Sequence, residues 1–181
     1  FNELPGVETV AAIANGARAG GTAYVLPTHT TAPGEDYVQA MRAVEAAVIA
    51  GVPGILGIHL EGPFLSTEKP GIHAAINIRP IEPRDIKNIG SFTGGKVLIT
   101  LAPECQPKNS IQNLVSEGAI VFAGHSNATA KEIEQAISEG LAGVTHLFNA
   151  MSQMTGREPG IVGAALVSDQ LYCGIIADRH H

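Results

Sequence analysis

Cysteine is scarce in this chain, and positive charge is scarcer than negative. Cys105 and Cys173 are the only cysteines. They are too few for a disulfide framework and are not spaced as a zinc knuckle or redox pair, so a reducing, cytoplasmic setting is expected. Lysine and arginine number 11 against 17 acidic residues, a formal net charge of −6, with no basic cluster. That excludes the electrostatic footprint of nucleic-acid and anionic-membrane binders. No apolar run approaches the ~20 residues of a membrane span; the longest candidate, 46–58, is broken by Gly51, Pro53, Gly54 and Gly57. A Gly-x-Ser-x-Gly elbow is missing, which disfavours a serine hydrolase. Gly156, Gly160 and Gly163 lack the spacing of a dinucleotide fingerprint and read as turn residues. What is present is apolar material: 45% hydrophobic and 15% charged residues over 181 positions predict one globular domain spanning 1–181.

Short β-rich runs alternate with helix-length amphipathic runs, the pattern of a parallel sheet built from βαβ units. Helices are predicted over 8–19, 36–50, 82–89, 110–117 and 129–139, the last capped by Asn127. Strands are predicted over 22–26, 55–60, 96–101, 119–123, 143–147 and 172–177. Six units in 181 residues fall short of the ~250 of a complete (β/α)8 barrel. The expected fold is therefore α/β, a TIM-type barrel lacking its first and last strands, in a fragment that opens on Phe1 rather than Met.

Polar residues gather where the predicted strands end: Thr28-His29-Thr30, Glu61, Glu104, His125, His146, and Asp178 with His180 and His181. In parallel α/β folds this rim is the active-site face. Glu61, His125 and His146 form a ligand set that zinc-type divalent ions accept, and Zn, Fe, Mn and Co all remain open. Their separations, 64 and 21 positions, are too long for a local metal loop and make sense only if each ligand ends a different strand. His59 lies two residues before Glu61 and so shares its face of the strand. Glu104 reads equally well as a partner of a metal-bound histidine or as a structural hydrogen bonder, and His29 reads as structural.

Several strings have a more specific likeness. They are Gly57-Ile58-His59-Leu60-Glu61-Gly62-Pro63-Phe64-Leu65, Lys69-Pro70-Gly71-Ile72-His73, Leu101-Ala102-Pro103-Glu104 and Gly124-His125-Ser126-Asn127-Ala128-Thr129. Thr145 to Met151, Thr155 to Gly160 and Gly174 to Asp178 complete the set. In this order they resemble the N-acetylglucosamine-6-phosphate deacetylases of the metal-dependent amidohydrolase superfamily. The resemblance implies that Glu61, His125 and His146 hold a divalent metal, most simply Zn2+, and that His73 polarises the acetamide carbonyl. It implies that Asn149, Ala150 and His181 meet the sugar-phosphate end, and that Arg157 supplies a phosphate contact across a homodimer interface, a task suited to its planar fork. The family's acid/base Asp, its first strand, its last strands and its small β domain have no counterpart here. Arg179 stands where the family usually has Gly. The implied reaction is hydrolysis of N-acetylglucosamine 6-phosphate to glucosamine 6-phosphate and acetate. Another phosphosugar or N-acyl amidohydrolase is the alternative, and the 181 residues alone are expected to be inactive, binding metal or sugar phosphate only.

Overall fold

The computed structural model describes residues 1–180; His181 lies outside the described residues. Six strands, β1 (Thr28–Thr30), β2 (Gly57–Glu61), β3 (Lys96–Leu101), β4 (Ile120–Ala123), β5 (Gly143–Val144) and β6 (Tyr172–Cys173), form one sheet in sequential order. Every neighbouring pair is parallel. The helices are α1 (Val7–Ala19), α2 (Asp36–Ile49), α3 (Pro83–Gly90), α4 (Ser110–Ser116), α5 (Ala130–Ser138) and α6 (Gly160–Val167). The parallel α/β expectation holds. No helix among the described residues is long and apolar enough to cross a membrane.

The two-residue period of a strand sorts side chains between two faces. Along β2, Ile58 and Leu60 join the apolar core with Ile99 and Leu101 of β3 and the buried face of α2, Tyr37, Ala40, Met41, Val44 and Ala47. His59 and Glu61, and Thr100 beside them, point the other way. One face is thus held by hydrophobic packing against helices, which leaves the other free to carry polar chemistry.

Several boundaries differ from expectation for identifiable reasons. The first strand is not at 22–26: that stretch makes only an isolated bridge, Val25 with Ile55, and the ladder begins at Thr28 beside His59. The fifth strand stops at Val144 instead of 147 because His146 turns to φ +38, which no strand tolerates. Thr129, not Asn127, caps α5 through a reciprocal capping box with Glu132. Asn127 is engaged elsewhere, its amide donating to Glu68 and its main-chain N–H to Glu104. Helix α6 has no counterpart in the sequence reading, since Gly160-Ile161-Val162-Gly163-Ala164-Ala165-Leu166-Val167 is apolar on every side and shows no helical period.

Candidate metal and substrate site

Three side chains from three strand ends meet at the C-terminal rim. Glu61 closes β2, while His125 and His146 follow β4 and β5 by two residues each. Glu61 Oε1 lies 3.1 Å from His125 Nε2 and 3.1 Å from His146 Nε2, and the two Nε2 atoms are 3.1 Å apart. Both histidines sit in the left-handed region, φ +47 and +38, a conformation that costs β-carbon-bearing residues energy and persists only where surroundings enforce it. The sharp bend it makes turns each ring back over the sheet end.

The surroundings of His125 are well defined. Its Nδ1 lies 3.0 Å from the Lys69 carbonyl, which can only accept, so the ring proton is on Nδ1 and the Nε2 lone pair faces Glu61 and His146. Gly71, at φ +55, lets the 69–73 loop press on this ring: a β-carbon there would stand 3.0 Å from His125 Cε1. Glu104, in the short 3-10 turn after β3, does not touch either histidine. It accepts from Ser126 Oγ and the Asn127 N–H, both at 2.6 Å, and so grips the two residues that follow His125.

His73 joins the same cluster. Its ring packs edge-on against His125 with centroids 4.3 Å apart, and its Nε2 is 4.0 Å from Glu61 Oε1. Burial, helped by His125, pushes its pKa down to about 4, so the ring is neutral. Burial alone would raise the Glu61 pKa, yet the imidazoles of His125 and His146 against it hold the carboxyl well below its usual range. His146 is affected oppositely: burial opposes its charge, but the Glu61 contact outweighs burial and raises its pKa.

Beneath this cup, His59 bridges Thr28 Oγ1 at 3.0 Å and Thr100 Oγ1 at 2.8 Å, and Thr100 reaches Thr145 Oγ1 at 2.6 Å. The chain of contacts runs from β1 across β2 and β3 to the exit of β5. Burial lowers the His59 pKa, so it serves as a neutral strut.

Asn149 and Ala150 occupy the tight loop after His146, where Phe148 and Ala150 also have positive φ. Ala150 Cβ approaches the position a β-carbon on Gly71 would take, at 3.9 Å, so this loop borders the segment that carries His73. Arg157 lies on an exposed bend outside the cluster, with no ion pair or side-chain hydrogen bond among the described residues. Arg179, where the family pattern favours glycine, adopts φ +71. Of the two sequence readings of Glu104, the structure shows the structural hydrogen bonder, whereas Thr31 and the Lys69 carbonyl escape a reading of the sequence. Only the threonines at 28, 30 and 31 hint at the former, and main-chain groups carry no sequence signal at all.

The donor set fits a divalent ion. Three electron-rich atoms 3.1 Å apart repel one another unless a cation lies among them. An ion with zinc-like bonds of ~2.0–2.2 Å can touch all three and keep one side open. Glu61, His125 and His146 are also the only group of three potential ligands found together among the described residues.

No family model matches the chain. Individual proteins do. N-acetylgalactosamine-6-phosphate deacetylase of Shewanella sp. strain ANA-3 is 45% identical over all 181 residues, which cover 46% of that protein. N-acetylglucosamine-6-phosphate deacetylase of Haemophilus influenzae is 39% identical over the whole chain, covering 48% of its own length. A crystal structure of N-acetylglucosamine-6-phosphate deacetylase from Pasteurella multocida superposes with a TM-score of 0.93 at 40% identity, over 100% of this chain and 48% of that one. The chain's homologues are deacetylases of N-acetylated amino-sugar 6-phosphates. It spans about half the length of these deacetylases, and the likeness in fold and sequence extends along all of it.

Proposed function

We propose that the chain is the central part of the catalytic barrel of an N-acetylglucosamine-6-phosphate deacetylase, a single domain that is cytoplasmic and homodimeric in the intact protein. Six sequential parallel strands agree with a (β/α)8 barrel whose closure requires further strands. The observation that carries the reading is the convergence of one carboxylate oxygen and two imidazole nitrogens, 3.1 Å apart, from the ends of β2, β4 and β5 in a chain whose relatives are deacetylases.

A divalent ion held by Glu61, His125 and His146, Zn2+ by the chemistry of its donors, would acidify water toward pKa ~7 and polarise a carbonyl. The chain's own groups would hold that ion and orient the substrate, while the proton for the leaving amine has to come from outside these 181 residues. Glu61 supplies the negative charge that offsets the cation, and the Lys69 carbonyl keeps the His125 lone pair pointed into the cup. His73, neutral and 4.0 Å from Glu61, is placed to hydrogen-bond the acetamide oxygen as it gains charge, a contact of the oxyanion-hole type. Asn149, Ala150 and His181 are assigned to the sugar-phosphate end. Exposed Arg157 is assigned to the phosphate of a substrate held by a partner subunit.

The test is Glu61→Gln in the intact protein, with metal analysis. Loss of the bound ion together with at least ~100-fold loss of deacetylation is expected; retention of both would overturn the reading. The 45% identity to an N-acetylgalactosamine-6-phosphate deacetylase favours a second substrate, the C4 epimer. Comparison of kcat/KM for the two epimers, and for their unphosphorylated forms, decides between them.

A further inference from the structure

Several observations meet around one residue, Thr31, which has no role in the reading so far. Its main-chain N–H lies 3.3 Å from His73 Nδ1 and its hydroxyl 2.9 Å from the same nitrogen. The hydroxyl is also 3.4 Å from the Glu61 carbonyl, so Thr31 ties the exits of β1 and β2 to the loop that carries His73. The loop is fixed from its own side as well, because the His73 main-chain N–H donates to the Pro70 carbonyl at 2.9 Å. Finally, Gly62 leaves room for this node: at φ +86, a β-carbon there would collide with Thr31 Oγ1.

A hydroxyl can donate or accept, but an amide N–H can only donate. If His73 carried its proton on Nδ1, that N–H could still donate to the Thr31 hydroxyl, but the Thr31 main-chain N–H would face a donor and lose its acceptor. The ring proton therefore belongs on Nε2, the edge directed at Glu61. A protonated Nε2 offers no lone pair. His73 is thereby excluded as a fourth metal ligand and as a proton acceptor, and is left as a neutral donor to whatever oxygen occupies the cup.

We infer that Thr31 is the positioning residue for His73: its main-chain N–H selects the Nε2–H tautomer, and its hydroxyl holds the ring in the plane that aims this N–H into the cup. The inference deepens the proposed function and rests on its assignment of His73 to the acetamide oxygen.

The direct measurement is long-range 1H–15N correlation of 15N-histidine-labelled, Zn2+-loaded protein at mildly alkaline pH, with the His73 signals identified by their loss in His73→Gln. The expected result is a neutral ring protonated on Nε2; protonation on Nδ1 overturns the inference. Steady-state kinetics of Thr31→Val and Thr31→Ser probe the hydroxyl. The valine variant should bind zinc normally and lose about tenfold in kcat with little change in KM, and the serine variant should recover it. Wild-type kcat in Thr31→Val would overturn the hydroxyl's part. A protein that deacetylates no phosphosugar, yet shows the Nε2–H tautomer, would sink the proposed function while leaving the tautomer assignment intact.

Discussion

His29 shows how a single residue can be chemically conspicuous and still stand apart from the site. It lies on β1 between Thr28, which supports His59, and Thr30, whose main chain is clasped by Asn2. The alternation of the strand turns it away from the cup and into the layer beneath the helices, edge-on to Phe1. It is 1% exposed, and neither ring nitrogen has a partner. Burial lowers its pKa, with Asp36 opposing. An unpaired buried polar group costs about 1–3 kcal/mol, so His29→Leu should raise stability by about 1–2 kcal/mol, measured by urea unfolding. The sign of the pH effect follows from the lowered pKa: the unfolded chain binds the proton better, so stability is lost as pH falls below ~6.5. The variant's advantage should therefore widen from pH 8 to pH 5. An advantage that does not change with pH would contradict this account.

At the scale of elements, the segment between β2 and α3 needs an anchor, because it delivers His73 with little regular structure of its own. Asp85, fully buried in the first turn of α3, supplies it. Its carboxylate accepts two hydrogen bonds from Arg79, at 2.7 and 2.8 Å, one from Tyr37 at 2.7 Å and one from the Glu82 N–H at 2.8 Å. Arg79 also lies over the Phe64 ring, 5.3 Å from its centroid. Burial alone would raise the Asp85 pKa, but the Arg79 and Tyr37 hydrogen bonds hold it below the usual range. Its contribution to stability is thus complete above the unfolded pKa of ~3.9 and lost as pH falls through the lower folded value. Asp85→Asn leaves Arg79 without its counter-charge and should cost about 3–5 kcal/mol by denaturant melts at neutral pH. At the far rim, Thr129→Ala removes the cap of α5 and should cost about 1 kcal/mol in the same assay.

These elements also show what a sequence can disclose. Helices α2 and α5 and strand β3 were legible because one face is buried and the pattern has a clear period. Helix α6 was not, being apolar all round, and the early end of β5 was not, because a histidine at φ +38 looks like any other histidine. The candidate metal ligands were legible from residue type and from their place at strand ends. Their supports were hidden: the Lys69 carbonyl is a group every position supplies, and the Thr31 amide one that every position but proline supplies.

For the molecule as a whole, the cup joins the ends of β2, β4 and β5 through polar side chains. A ligand that binds only the folded chain stabilises it by mass action, about 4 kcal/mol at a thousandfold excess over Kd. Chelation should therefore lower the melting temperature by roughly 8–16 °C, taking ~2–4 °C per kcal/mol at this size, and Zn2+ should restore it. Calorimetry of the chelated and reloaded protein checks this; identical melting curves would argue against an ion that bridges the strands.

The bond between His125 and the Lys69 carbonyl has a kinetic side. The same short stretch that steadies His125 also brings His73 to the mouth, so in the proposed reading any swing of that stretch wide enough to admit a bulky sugar would slacken the hold on a cation bound there. On that reading, entry of a sugar and escape of the ion would share one door, and a bound sugar would slow metal exchange simply by keeping that door shut.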